Sequence, residues 1–301
     1  MNQSAFLTEK FAGLANLQLL IVHSTLECSP GGAITSVFFV PSVRNAMKIF
    51  PPQAICALLA LLFTGGTLRA ESASLLIGKG DSFDANMQAN DALRCYLMAE
   101  KLEPNNARLL VHISREYRRL MPDTNDQAEK VRLGAVAVDY AKRAASLAPK
   151  DPEAQLAVAI CCGKLQPFQG NRQRFDAVHT IKAAVDKALE LDPHNDLAWH
   201  VLGRWYKGLA EVDAFHRALA QAAFGGLPAA TYEEAATCFE KAIQLNPNRL
   251  INYIELGCVY AQMGRRDEAQ RLITKGLDMP NTDNEDPETV REGEQLRAKL
   301  H

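Results

Sequence analysis

The chain has 301 residues, 48% of them hydrophobic and 23% charged, with 33 basic and 35 acidic side chains and a net charge of −2. A domain that reads a phosphate backbone carries a basic excess or stripe, so nucleic acid is excluded as the expected partner. Glycine and proline concentrate at turns, which leaves no linker or low-complexity segment and points to one extended domain after the leader.

Residues 1–46 show no sustained periodicity and are expected to be an upstream extension, disordered or not translated. Met47-Lys48 opens a second beginning, followed by an apolar run of ten residues from Ala54 to Phe63. Lys48 precedes this run, Arg69 follows it, and the small residues Gly65, Gly66 and Ala70 flank it. Residues 47–70 therefore read as a signal peptide cut after Ala70, giving a periplasmic or secreted protein. The run is far shorter than the ~20 residues that span a bilayer, and Pro51-Pro52 prevents its extension upstream. The competing reading is an uncleaved membrane anchor behind a short lead, with the repeat part in the cytoplasm. Residues 71–301 carry 29 basic and 33 acidic side chains, a net charge of −4.

From Ala73 to Asp283 one helical-hairpin pattern occurs five times. Its second helix carries Ala92, Tyr96, Ala99 and Pro104, then Ala137, Ala141, Ala144 and Pro149, then Ile181, Val185, Ala188 and Pro193. The frame returns at Ala235, Phe239, Ala242 and Pro247, and Ala269 opens its last copy. Spacings of 3 and 4 keep these residues on one helical face, where small side chains let backbones approach and the larger one fills the space beside them. Each proline pushes the residue before it out of the α region, so Asp192 and Asn246 read as helix exits. The first helix is clearest at Trp199, Leu202, Gly203 and Tyr206 and at Tyr253, Leu256, Gly257 and Tyr260. Such a unit cannot bury its own apolar face, and stacking of neighbours into an all-α solenoid with a concave surface is expected.

Measured between closing prolines, the units have 34, 45, 44, 54 and 34 residues. The excess in the middle three is expected to lengthen their helices. In unit four Leu209, Val212, Phe215, Leu219 and Ala222 continue the apolar stripe past Tyr206, predicting a first helix of about 27 residues and an overhang of roughly 20 Å. Phe224-Gly225-Gly226-Leu227-Pro228 breaks it, and Thr231 with Glu234 forms a capping box for the second helix.

Catalytic and metal chemistry find no pattern. Cys95, Cys161, Cys162, Cys238 and Cys258 form an odd set without Cys-x-x-Cys spacing, so buried thiols are expected, a strained Cys161–Cys162 bridge being the alternative. His112, His179, His194, His200 and His216 are scattered, without His-x-x-x-His spacing. Gly225-Gly226 lacks a following Lys-Ser/Thr, and no nucleophile and base pair stands out. Arg115, Arg118 and Arg119 share a helical face that reads as solvated, with Glu116 nearby. No enzyme, cofactor or metal is expected.

Trp199, Leu202, Gly203 and Tyr206, with Ala235, Phe239, Ala242 and Pro247, resemble the tetratricopeptide repeat. More narrowly, the stretch from Trp199 to Tyr206, the Phe224-Gly225 turn before Ala230 to Ala235, and Leu277 to Pro280 with Asp283, Glu285 and Asp286 resemble the regulator of microtubule dynamics proteins. This resemblance, over about residues 73–300, implies a helical repeat domain without enzymatic activity and, in eukaryotic members, association with microtubules or organelle membranes. Repeats that clamp a chaperone's C-terminal carboxylate place Asn and Lys or Arg at positions occupied here by Asp81, His112, Leu156 and Ile160, which disfavours that use.

The function expected is a scaffold that binds a protein or peptide segment on its concave face. Tyr117, His200, Arg204 and Tyr206 are its expected floor, with Phe215, Leu219, Phe224 and Leu227 as one lip. Two alternatives are a microtubule-associated regulator with tubulin as partner, and a groove for an apolar small molecule or lipid.

Overall fold

The computed structural model describes residues 72–280 and 286–300; the expected extension 1–46 and leader 47–70 lie outside the described residues. The described part holds twelve α-helices and no strand. They are α1 (residues 72–85), α2 (Ala89–Leu102), α3 (Ala107–Arg119), α4 (Gln127–Leu147), α5 (Pro152–Leu165) and α6 (Asn171–Leu191). Then follow α7 (Asp196–Ala210), α8 (Ala214–Phe224), α9 (Tyr232–Leu245), α10 (Leu250–Gln262), α11 (Arg266–Leu277) and α12 (Asp286–Leu300). The five hairpins are α1–α2, α3–α4, α5–α6, α7–α9 and α10–α11.

Helix ends follow the local chemistry. Before each of the four closing prolines the capping residue, Glu103, Ala148, Asp192 or Asn246, leaves the helical region and donates its N–H to Ala99, Ala144, Ala188 or Ala242. Asn106, Asp151 and Asn195 open the first helices of units two to four by accepting backbone N–H bonds. The expected capping box is present, with Glu234 N–H to Thr231 Oγ1 at 3.2 Å and Thr231 N–H to Glu234 Oε2 at 2.9 Å.

Each second helix from α2 to α9 also packs against the first helix of the next hairpin, while first helices meet directly as α3–α5, α5–α7 and α7–α10. The first helices therefore form the inner row of the stack, and the second helices lie outside it. The frame residues of the second helices, among them Tyr96, Val185 and Phe239, are buried, as are Leu202, Tyr253, Leu256 and Tyr260. At Gly203 α7 and α9 approach closely: a Cβ there would lie 2.8 Å from the Phe239 ring. Gly257 repeats the relation, with Ile273 at 2.5 Å. At the same register stand Gly80, Ser114 and Ala159, all buried, so the close approach is written in every unit.

Trp199 departs from the expectation. It is only half-buried, and its indole N–H donates to Pro193 O at 2.9 Å. Standing in the first turn of α7, it closes back on the preceding turn, and the core position falls to Trp205, 9% exposed with its N–H on Val178 O at 2.9 Å.

The extra length is helical but distributed unequally. In units two and three it lengthens the second helices, α4 and α6, to 21 residues each. In unit four the continuous first helix of the sequence reading is corrected to two: α7 stops at Ala210, and Asp213 accepts the His216 N–H at 2.9 Å to start α8. An Asp that caps the backbone in this way breaks an apolar stripe that periodicity alone reads as unbroken. No residue of α8 is buried; Arg217 ties the helix down by donating to Leu209 O at 2.5 Å and Pro228 O at 3.1 Å. Gly225 ends α8 at φ 89°, a conformation that favours glycine. At the other end of the stack α12 covers α10 and α11.

Candidate functional site on the inner row

Two polar seams interrupt the packed inner row. The first joins α1 to α3. Tyr96 donates to Asp81 Oδ1 at 2.8 Å, and His112 Nδ1 lies 3.2 Å from the Tyr96 hydroxyl and 3.1 Å from Asp81. Beside them Asp84 pairs with both Arg115 and Arg119, whose guanidinium groups also reach Glu116 Oε1 at 3.3 Å each. Glu116 is fully buried; burial raises its pKa, and Arg119 and Arg115 act against that. Burial, then the charge of Arg115, lowers the pKa of His112. The arginine face expected to be solvated is therefore partly drawn into an internal ion network.

The second seam joins α7 to α10. His200, 4% exposed, donates through Nδ1 to Asn252 Oδ1 at 2.7 Å and stands edge-on to Phe239 at 5.6 Å. Burial pushes its pKa down to about 4, so the ring is neutral at pH 7. Glu255, also buried, lies 2.8 Å from Lys207 Nζ and 3.4 Å from Arg204 Nε. Burial alone raises a carboxyl pKa, but Arg204 and Lys207 outweigh it and hold Glu255 down to about 2. Burial works against the Lys207 charge, and Glu255 outweighs it, raising the ammonium to about 12. Arg249 and Asn246 close the seam on Asp196 at 2.8 and 3.1 Å.

Between the seams α5 is apolar but closed: Leu156 and Ala157 are buried, and Ile160, partly exposed, packs against the same core. Asp81 and His112, at positions a carboxylate clamp uses, face each other across the first junction.

The structure divides the expected groove residues. Arg204 has 54% of its side chain exposed on the inner row. His200 is corrected from groove floor to core, because Asn252 and Phe239 enclose it. Tyr117 and Tyr206 are half-buried: Tyr117 stacks on Tyr140 at 5.8 Å, and Tyr206 meets Trp205 edge-on at 5.1 Å and packs between two core clusters. The lip does not converge. Leu227 packs into the core, Phe224 lies tilted against Phe175 at 5.1 Å with the Arg172 guanidinium over its ring, and Phe215 and Leu219 are 73% and 52% exposed.

Sequence reasoning missed Asn252, Glu255, Lys207 and Asp196. A signal was present: Asn252 and Glu255 interrupt the apolar run from Leu250 to Tyr260. The five cysteines among the described residues are free thiols, and burial raises Cys161 and Cys258 to about 11. Among the described residues no group of three or more His, Cys, Asp or Glu is placed to hold a metal, and no helix is long and apolar enough to cross a membrane.

Known proteins agree with this architecture. The structure of a thermophilic TPR protein from Thermus thermophilus superposes with a TM-score of 0.55 over 76% of this chain and 98% of that one, at 16% identity, which speaks to the fold alone. Regulator of microtubule dynamics protein 1 of Bos taurus is 31% identical over 203 residues, 66% of this chain and 64% of the relative. The Mus musculus protein is 30% identical over 207 residues, 68% of each chain. The chain thus spans about two thirds of the length of these relatives. The family model described as regulator of microtubule dynamics protein 1-3 matches residues 76–301, from within α1 through the helix that closes the stack. By that match, together with the repeat frame and its closing helix, the chain belongs to the regulator of microtubule dynamics protein 1-3 family.

Proposed function

We propose that the repeat domain is a non-enzymatic scaffold that binds a protein segment along its inner row, with Arg204 as the charged anchor. One observation carries this reading: in the second seam two cations share one carboxylate. Lys207 is nearly covered and spent on Glu255, whereas Arg204, 3.4 Å from the same carboxylate, keeps more than half of its side chain exposed. A segment carrying an acidic group meets that exposed cation. A charge reversal there also loads buried Glu255, which keeps Lys207 as its remaining cation, so the melting midpoint of the variant is measured beside its binding. Arg204→Glu combined with Phe224→Ala is therefore expected to abolish capture of a partner from native extract while the helical circular dichroism is kept. Undiminished capture by the double variant refutes the assignment.

The relatives' names favour a second reading, regulation of microtubules. A net charge of −4 over residues 71–301 gives little long-range attraction to an acidic surface such as tubulin's. Co-sedimentation of the purified chain with microtubules at low and at physiological salt decides between the two. Export through residues 47–70 is part of the proposal: intact mass of natively expressed protein should give a chain beginning at or near Glu71. A chain that retains residues 1–46 in the cytosol overturns it.

A further inference from the structure

Among the described residues no helix packs along α8, and none of its own side chains is buried. Eleven residues are too few for a helix to persist in water by itself, and this one is held at its ends. Asp213 caps the start, Gly225 and Gly226 return their N–H groups to Gln221 and Ala220, and Arg217 fastens the helix to two carbonyls of the stack. Arg217, Ala220 and Phe224, at helical spacing, form its half-covered inner stripe. The outward face carries Phe215, Ala218, Leu219, Ala222 and Ala223, all exposed and none charged. The two ionisable side chains of the helix are engaged elsewhere, His216 on Asp213 at 2.7 Å and Arg217 on the carbonyls. An apolar face held rigid and open in this way marks an interaction surface.

We infer that this face pairs with the same face of a second copy of the chain, the two helices antiparallel about a two-fold axis at Leu219. In that arrangement the sequence of α8 is complementary to itself. Leu219 stands at the middle of the helix and meets Leu219 of the second copy, while Phe215, one turn before it, meets Ala222 and Ala223, one turn after. A large side chain thus faces two small ones, and symmetry repeats the contact. Because the face is uncharged, burying it against itself strands no charge. The ends add charge complementarity: Asp213 at the start and Arg172, over the ring of Phe224 at the finish, are both more than half exposed and come together across the axis. Each has an exposed local partner, His216 and Asp176 respectively, and pairs of that kind contribute little, so both charges can be shared with the second copy. A helix about 16 Å long offers far less than the about 800 Å² per partner of a long-lived interface. The dimer is therefore weak, and its population follows concentration.

The experiment is sedimentation velocity of the full chain from low micromolar to sub-millimolar concentration, with circular dichroism to confirm that each variant is folded. The wild type is expected to pass from monomer to dimer over this range, and Arg204→Ala to do the same, because it acts on the inner row. Leu219→Glu and Leu219→Lys each set like charges against one another across the axis and should weaken dimerisation about tenfold or more. Their equimolar mixture sets opposite charges there and should recover it. Leu219 is 52% exposed, so neither substitution enters the core. A wild type that stays monomeric throughout overturns the inference and leaves the face to another protein or to a membrane surface. Single variants that dimerise as the wild type does, or a mixture that behaves as its components do, overturn the two-fold pairing.

Discussion

Two glycines on one helix separate packing from propensity. Gly203 and Gly208 both lie in α7, five residues apart, and in an isolated helix replacing either by alanine adds about 0.5–1 kcal/mol of stability. Around Gly208 a new Cβ meets nothing within 4 Å, so that gain should be realised in full. At Gly203 the new Cβ would lie 2.8 Å from Phe239 Cε1 and 3.0 Å from Cδ1 and Cζ. The ring has no room to yield, because it is 0% exposed and held edge-on against His200. Overpacking of this kind costs about 1–3 kcal/mol, which outweighs the propensity gain. Gly203→Ala should therefore be net destabilising by about 0.5–2 kcal/mol, and Gly203→Leu by more. For a domain of this size that lowers the melting midpoint by roughly 2–4 °C per kcal/mol, while Gly208→Ala raises it. Thermal and urea unfolding followed by circular dichroism measure both. If Gly203→Ala stabilises the protein as Gly208→Ala does, the α7–α9 contact is not the close approach described here.

The two tryptophans of α7 should respond unequally: Trp205→Ala should cost about 3–5 kcal/mol as a buried aromatic, and Trp199→Ala less than half of that. Equal losses in urea unfolding would show that Trp199 is core after all. His200 predicts a pH dependence. Its folded pKa, about 4, lies below the ordinary value of 6.5, so the unfolded chain takes up the proton first. Its contribution is thus whole above pH 6.5 and is lost as pH falls from 6.5 toward 4, by an amount on the order of 3 kcal/mol. His112, whose pKa is also lowered, adds a slope of the same sign. Glu255, held at about 2, adds its own loss only below the ordinary carboxyl value of 4.5. Urea midpoints between pH 7 and 5 should therefore fall in the wild type and fall less in His200→Gln; parallel slopes would mean the ring is not buried neutral.

What sequence revealed was the part of the fold that is local and periodic. The alanine frames and closing prolines gave the second helices and their ends, because a face of small residues and a missing amide act through residues three to five apart. The end of α7 was misplaced for a reason of the same kind: Asp213 is a capping residue set inside an apolar stripe, and the stripe was followed. Asp213 followed by an apolar helix of alanines and phenylalanines is a start signal that outranks periodicity. Trp199 was placed in the core by its position in the repeat, but that position lies in the first turn of a helix, where the indole turns to Pro193 O.

The seams were hidden for a different reason. His200 with Asn252, and Arg204 and Lys207 with Glu255, are partners about fifty residues apart, and no local pattern pairs them. Yet these pairs do what the alanine faces do not. Smooth small-residue faces tolerate a shift of one helix along another, whereas a shift of α10 along α7 would separate Glu255 from Lys207 and Arg204 and leave a buried carboxylate uncompensated. Breaking a buried pair in that way costs about 3–5 kcal/mol, a large part of the stability of any domain. The second seam therefore fixes how the last hairpin sits on the fourth, and the first does the same for the opening pair through Asp84 and Glu116. The apolar α5 can pack between them without a polar seam of its own, because those junctions hold the register on either side of it.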